Sequence, residues 1–195
     1  MLAETPTKYQ INDVPTAPFL IIPSVSSERR EYIPIGYETP PTVPSNATTI
    51  LPNATLDMFG ILTSAMHMAW LRCVGGRLES RYRYSVGLVY NAFPVPKLSK
   101  RRQNIIAEKA KDILDARKKH EGTSLAILYD PDLMPAELRI AHRELDKSVD
   151  RAYRKTAFRS ERERLEHLFS LYEKIKAPLI GHKRKKSKKK LATST

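Results

Sequence analysis

The adjacent glycines Gly75 and Gly76 limit the fold more than any other feature. They end a helix-like apolar run from Thr55 to Val74 and open a stretch, GGRLESRYRYSVGLVYNAFPVP, that Pro94 and Pro96 close. Secondary structure must change at both ends. Between them Tyr82, Tyr84, Val86, Val89 and Tyr90 predict a strand. Strand alternation puts Glu79, Arg81 and Arg83 on one face and Ser80, Tyr82 and Tyr84 on the other. One acceptor and two forked donors in a row match the edges of bases. Arginine pairs in bidentate fashion with guanine, and glutamate accepts from the cytosine amine. The same pattern also describes a solvated strand with a tyrosine-lined back, since charge runs commonly form solvent faces.

Residues 1 to 53 are rich in Pro, Thr and Ser and carry short β-type runs at Phe19 to Ile22, Tyr32 to Tyr37 and Thr48 to Leu51. Pro34 confines its run to an edge or a bulge. The polar turn Ser26-Ser27-Glu28-Arg29-Arg30 is either an ordinary exposed loop or a phosphate contact. In the second case Ser26, Ser27, Arg29 and Arg30 position a duplex without reading its sequence. From Thr55 to Val74 one helix is expected, with Leu56, Phe59, Gly60, Thr63, Met66, His67, Trp70 and Val74 on one face. Much of its other face is apolar too, so the helix is buried on most sides. Cys73 reads as a small buried hydrophobe.

After Pro96 the pattern is helical. A charged helix is expected over Ser99 to His120, then a short apolar segment from Ser124 to Tyr129. Pro135 opens a helix to about Arg154, and Ser160 with Glu163 forms a capping box before a last helix through Lys176. The fold class is therefore α+β: a small mixed β and helix domain over 1–98, an α-helical bundle over 99–178, and a disordered basic tail over 179–195.

The net charge of +13 points to a polyanionic partner. His182 to Lys190 holds seven Lys and Arg and no acid, so the body keeps +6 without it. A single cysteine excludes an internal disulfide framework and fits a reducing, cytoplasmic setting. No apolar run reaches the ~18 residues of a membrane span, and MLAETPTKYQ lacks the regions of a signal peptide. The histidines show no metal spacing with Cys or with one another, and no nuclease triad follows Pro131-Asp132.

The central stretch, with SSERREYIPIGY before it and LYDPDLMPAELRIAHRELDKSVDRAYR after it, resembles the C-terminal part of the MmeI-like (type IIG/IIL) DNA methyltransferases. These are fused bacterial or archaeal restriction-modification enzymes that methylate adenine. The resemblance runs from about Leu2 to Lys174 and implies a DNA target-recognition module with double-stranded DNA as partner. It places base readout on Glu79, Arg81 and Arg83, with Asn46 and Ala47 beside them. The full-length family uses S-adenosylmethionine. This chain has no G-x-G turn for that cofactor and no Asn-Pro-Pro-aromatic loop for a flipped base. It is expected to hold no cofactor, to be inactive alone, and to be a fragment served by a separate catalytic chain. The alternative is a free-standing basic nucleic-acid-binding adaptor.

The charge distribution makes a first prediction. Duplex binding weakens steeply with salt, and deleting His182 to Lys190 flattens that dependence while leaving the preferred sequence unchanged. Binding isotherms at several salt concentrations measure both. A changed sequence preference in the deletion variant refutes the division between tail and body.

Overall fold

The computed structural model describes residues 15–45 and 47–191, with side chains through Ala177. The chain opens with β1 (Phe19–Pro23), β2 (Val25–Ser26), β3 (Gly36–Glu38) and β4 (Thr48–Leu51). Helices α1 (Leu56–Leu62) and α2 (Ala65–Val74) follow, then β5 (Gly76–Leu78), β6 (Arg81–Arg83) and a single π turn over Val86–Tyr90. The rest is helical: α3 (Lys100–Lys118), α4 (Leu125–Leu128), α5 (Ala136–Tyr153) and α6 (Glu161–Leu191). The α+β reading holds. The backbone of α6 continues as helix beyond Lys176, where the sequence pattern ends it. No described helix is long and apolar enough to cross a membrane.

Two antiparallel three-stranded sheets form, in the orders β3-β1-β4 and β2-β6-β5. One chain segment feeds both, because Ser24 separates β1 from β2 and lets the strand leave its first partners. Phe19, Leu20 and Ile22 are fully buried, so β1 is the core strand of the first sheet. The run Tyr32 to Tyr37 becomes strand only from Gly36. Pro34 supplies no donor, the Ile35 amide bonds back to the Ile33 carbonyl, and the Ile33 amide donates to the Met68 sulfur.

Two sequence expectations fail for identifiable reasons. The single helix over Thr55 to Val74 is two, broken at Thr63-Ser64. Ser64 caps α2 through the His67 amide, and the carboxylate of Asp146, far along the chain, accepts the Ala65 amide at 2.7 Å. The strand expected to reach Tyr90 ends at Arg83. Ser85 then caps the π turn, in which the Tyr90 amide reaches the Ser85 carbonyl and Asn91 the Val86 carbonyl. Cys73 is exposed, not buried, because it falls on the outer side of α2. Met66, Met68 and Trp70 are core, as expected.

A single hydrophobic cluster runs through both halves of the chain. It joins Leu20, Phe59 and Trp70 to Ile106, Ile113, Leu138, Leu145 and Val149. Helix α1 lies directly on α3 at Gly60, whose missing side chain lets the two backbones approach. Farther along, Trp70 of α2 packs on Phe169 and Tyr172 of α6, with ring centroids 5.3 and 5.8 Å apart.

The close approach at Gly60 is testable. A Cβ there would sit 2.7 Å from the Ile106 Cγ2 and 3.2 Å from both the Ala110 Cβ and a Leu145 methyl. Overpacking of that kind costs about 1–3 kcal/mol, against roughly 1 kcal/mol that alanine gains in helix propensity. Urea denaturation of Gly60→Ala is expected to show net destabilisation, with Gly60→Val much worse.

Candidate nucleic-acid interface

Strands β5 and β6 form a hairpin in which Gly76 faces Arg83, Arg77 faces Tyr82 and Leu78 faces Arg81. Directly opposed residues share a face of the sheet. The inner face carries Arg77 and Tyr82, and the Arg77 guanidinium covers the Tyr82 ring at 4.0 Å. Tyr82 is 7% exposed and Tyr84 5%. The outer face carries Leu78, Arg81 and Arg83, all exposed. The tyrosine side thus holds the hairpin to the body and the arginine side faces out, as the alternation predicts.

Glu79 departs from the expectation. It is not on the strand but at the first position of the two-residue turn, with φ of +56°. Its carboxylate nevertheless meets the Arg81 guanidinium at 2.7 Å, so the two remain one polar unit. Both are well exposed, and such a pair holds only loosely. Among the described residues Arg83 makes no side-chain hydrogen bond or ion pair.

The root of the hairpin is fixed from beneath. The Tyr84 amide donates to the Ser24 carbonyl at 2.9 Å, and the Ser24 amide donates to the Ala47 carbonyl at 3.1 Å. Ser24 therefore ties exposed Ala47 to the end of β6, bringing two separated candidate segments together. Asn46 lies outside the described residues. Below, the Tyr84 hydroxyl shares a 3.0 Å hydrogen bond with His67 Nε2. Burial holds His67 neutral, pushing its pKa down to about 3, and raises that of Tyr84. Ser24 and His67 act here without a local motif; only their pairing partners reveal them.

The turn before β3 is engaged elsewhere. Ser26 is 3% exposed, and its hydroxyl accepts from Arg30 rather than facing solvent. Arg30 also donates to the Ala126 carbonyl at 3.1 Å. Arg29 pairs with Asp132 at 2.6 Å on the surface, and the Ser27 hydroxyl accepts the Arg29 amide. Of the four residues expected on phosphates, the structure turns Ser26 and Arg30 inward, because they clasp this loop to α4.

A second buried network lies between the halves of the chain. Arg117 donates to the Ile35 carbonyl at 2.8 Å and to the Tyr129 hydroxyl. That hydroxyl passes its proton towards His142 Nε2, 2.7 Å away. His142 stacks on Tyr32 at 4.0 Å, and Tyr32 donates to Asp146, the carboxylate that caps α2. Burial and the nearby Arg117 cation hold the His142 pKa well below its ordinary value. Desolvation pushes Asp146 up to about 6 in spite of its two donors. No group of His, Cys, Asp and Glu among the described residues could hold a metal ion.

Two antiparallel three-stranded sheets, a set of helices and a basic hairpin on a buried tyrosine base together match one family of proteins. The family model described as the MmeI target recognition domain matches residues 1–97, and that of the MmeI C-terminal domain matches residues 98–180. DNA methyltransferase A of Bacillus subtilis (strain 168) is 48% identical over 174 residues, 89% of this chain and 20% of that protein. The solved structure of the Type IIL restriction-modification enzyme MmeI in complex with DNA matches with a TM-score of 0.82 at 45% identity. It covers 90% of this chain and 24% of the MmeI chain. The chain belongs to the MmeI family, whose target recognition and C-terminal domains it carries. It spans about a fifth to a quarter of the length of these relatives.

The buried titratable groups predict a pH response. Both histidines are neutral in the fold, so their contribution is full above pH 6.5 and is lost as pH falls towards their folded values. Asp146 acts oppositely: its contribution is full below its ordinary 3.8 and is lost as pH rises through about 6. As pH falls below 6.5 the two histidines favour unfolding and Asp146 opposes them in part, so stability should slope downwards on acidification. His67→Gln should flatten that slope, as measured by denaturant titrations at pH 4, 5 and 6. An unchanged slope in the variant rules out His67 as a source.

Proposed function

We propose that this chain selects the DNA site at which an MmeI-like enzyme acts, and that the β5–β6 hairpin reads base edges in the major groove. The groove admits a two-stranded β ribbon. The observation that carries this reading is the hairpin's division into a buried tyrosine face and an exposed face with Arg81 and Arg83. The solved MmeI structure, a complex with DNA, supports it. Arg81 and Arg83 take guanine acceptors, and Glu79 accepts from a cytosine amine. Asn46 and Ala47 contribute beside them, and Ala47 is carried to the hairpin's root by Ser24. Of the turn at 26–30, Arg29 and Ser27 remain for phosphate contact, Arg29 by exchanging Asp132 for a phosphate.

The conformation of Glu79 also supports the reading. The first loop position of such a hairpin favours glycine, and a left-handed non-glycine residue costs roughly 1–2 kcal/mol. Glutamate at φ +56° is unfavourable for the turn, so its carboxylate has a use the turn itself does not require.

The methyl group is supplied elsewhere. Methyl transfer in this family draws on S-adenosylmethionine, and this chain's glycines form no G-x-G turn to cradle it. The cofactor therefore belongs to a catalytic part other than these residues. The chain by itself is expected to transfer no methyl group to DNA.

The test is to graft this chain onto an active family methyltransferase and sequence the methylated sites. Substituting Arg81 or Arg83 is expected to cost roughly 1–3 kcal/mol at one base pair and to relax the choice there alone. Tyr82→Ala should instead lower stability and weaken all binding alike. Glu79→Gly should relax the choice while leaving the fold as stable or more so. Methylated motifs unchanged by the substitutions at Glu79, Arg81 and Arg83 overturn the assignment.

A further inference from the structure

Leu78 stands on the same outer face as the arginines. It is directly opposite Arg81 across the hairpin and is 46% exposed. The face assignment rests on an independent contact, since the neighbouring pair, Arg77 and Tyr82, stacks on the opposite face. On the outer face the opposed positions differ in kind. Arg83 is faced across the hairpin by Gly76, whose added Cβ would lie 3.7 Å from the Arg83 Cβ, and on its other side by Val25 of β2. Arg81 has an isobutyl group beside it. The second sheet's other edge does not cover this end, because β2 pairs only with Tyr82 and Arg83.

Resting on the reading of the hairpin as the base-reading element, we infer that Leu78 is a further specificity-determining residue, which selects thymine by contact with its 5-methyl group. Thymine alone among the four bases presents a methyl in the major groove, and apolar side chains read it by contact. A leucine next to a guanine-reading arginine recognises a thymine beside the base pair that Arg81 reads. The polar Glu79 on the other side of Arg81 offers that methyl nothing. The hairpin then reads three chemical features: a guanine edge at Arg81, a second at Arg83, and a methyl at Leu78.

The experiment selects bound sequences with the full chain from randomised duplex pools, one made with thymine and one with uracil, which lacks only that methyl. In the thymine pool one position adjacent to the Arg81-dependent base pair should enrich thymine. Uracil there should bind about fourfold more weakly, the loss of one buried methyl-sized contact. Leu78→Ala should bind the two pools alike, and Leu78→Met, which keeps an apolar tip, should retain the discrimination. Equal binding of thymine and uracil by the unaltered chain, or discrimination that survives in Leu78→Ala, overturns the inference. In those cases an Arg81 substitution that still shifts the selected motif leaves the hairpin reading standing. Failure of the Arg81 substitution to shift any position overturns that reading and the inference together.

Discussion

Arg117 carries a charge into the interior, and the arrangement of the two halves follows from how that charge is satisfied. An unpaired buried cation is far too costly to persist. Its donors go to the Ile35 carbonyl and the Tyr129 hydroxyl, one partner from the β-containing half and one from the helical half. His142 must then accept from Tyr129, which requires it neutral, and burial beside a cation keeps it so. Tyr32 lies flat on His142 and reaches Asp146, whose other oxygen sets the start of α2. A displacement of any member leaves a buried polar group unsatisfied, so the chain of contacts fixes register as well as contributing stability.

That rigidity positions the hairpin. Helix α2 starts where Asp146 caps it, and His67, in its first turns, holds Tyr84 at the foot of β6. The exposed face of the hairpin is therefore supported from below by buried groups, while its own side chains make few commitments. Sites that must meet a ligand accurately need this combination of a fixed base and open donors.

The basic charge of the chain is not one undivided surface. Arg29, Arg30, Arg72, Arg139, Arg154 and Arg164 each bond a carboxylate or carbonyl, and several tie the loop at 26–32 to the helical half. Arg72, for example, joins Glu161 of α6 to the Glu31 carbonyl. Arginines spent on structure in this way contribute little to recognition. A net charge of +13 fits a polyanionic partner, but only the pairing pattern among the described residues separates unpaired guanidinium groups from those already engaged.

The sequence by itself determined most element types, most interior residues and the two faces of the hairpin, because these depend on periodicity and on local punctuation; the π turn over Val86–Tyr90 and the exposed Cys73 are exceptions. Alternation separated Tyr82 and Tyr84 from Arg81 and Arg83, and Ser99 and Ser160 marked helix starts that their hydroxyls do cap. The tertiary structure decided what depends on distant partners. Asp146 breaks one expected helix into two from eighty-one positions away, and the Ala126 carbonyl draws Arg30 inward, taking Ser26 with it. The turn that lifts Glu79 off the strand face, and the cross-strand pairing that sets Leu78 beside Arg81, follow from register. Register is a property of two strands together, and neither strand's composition contains it.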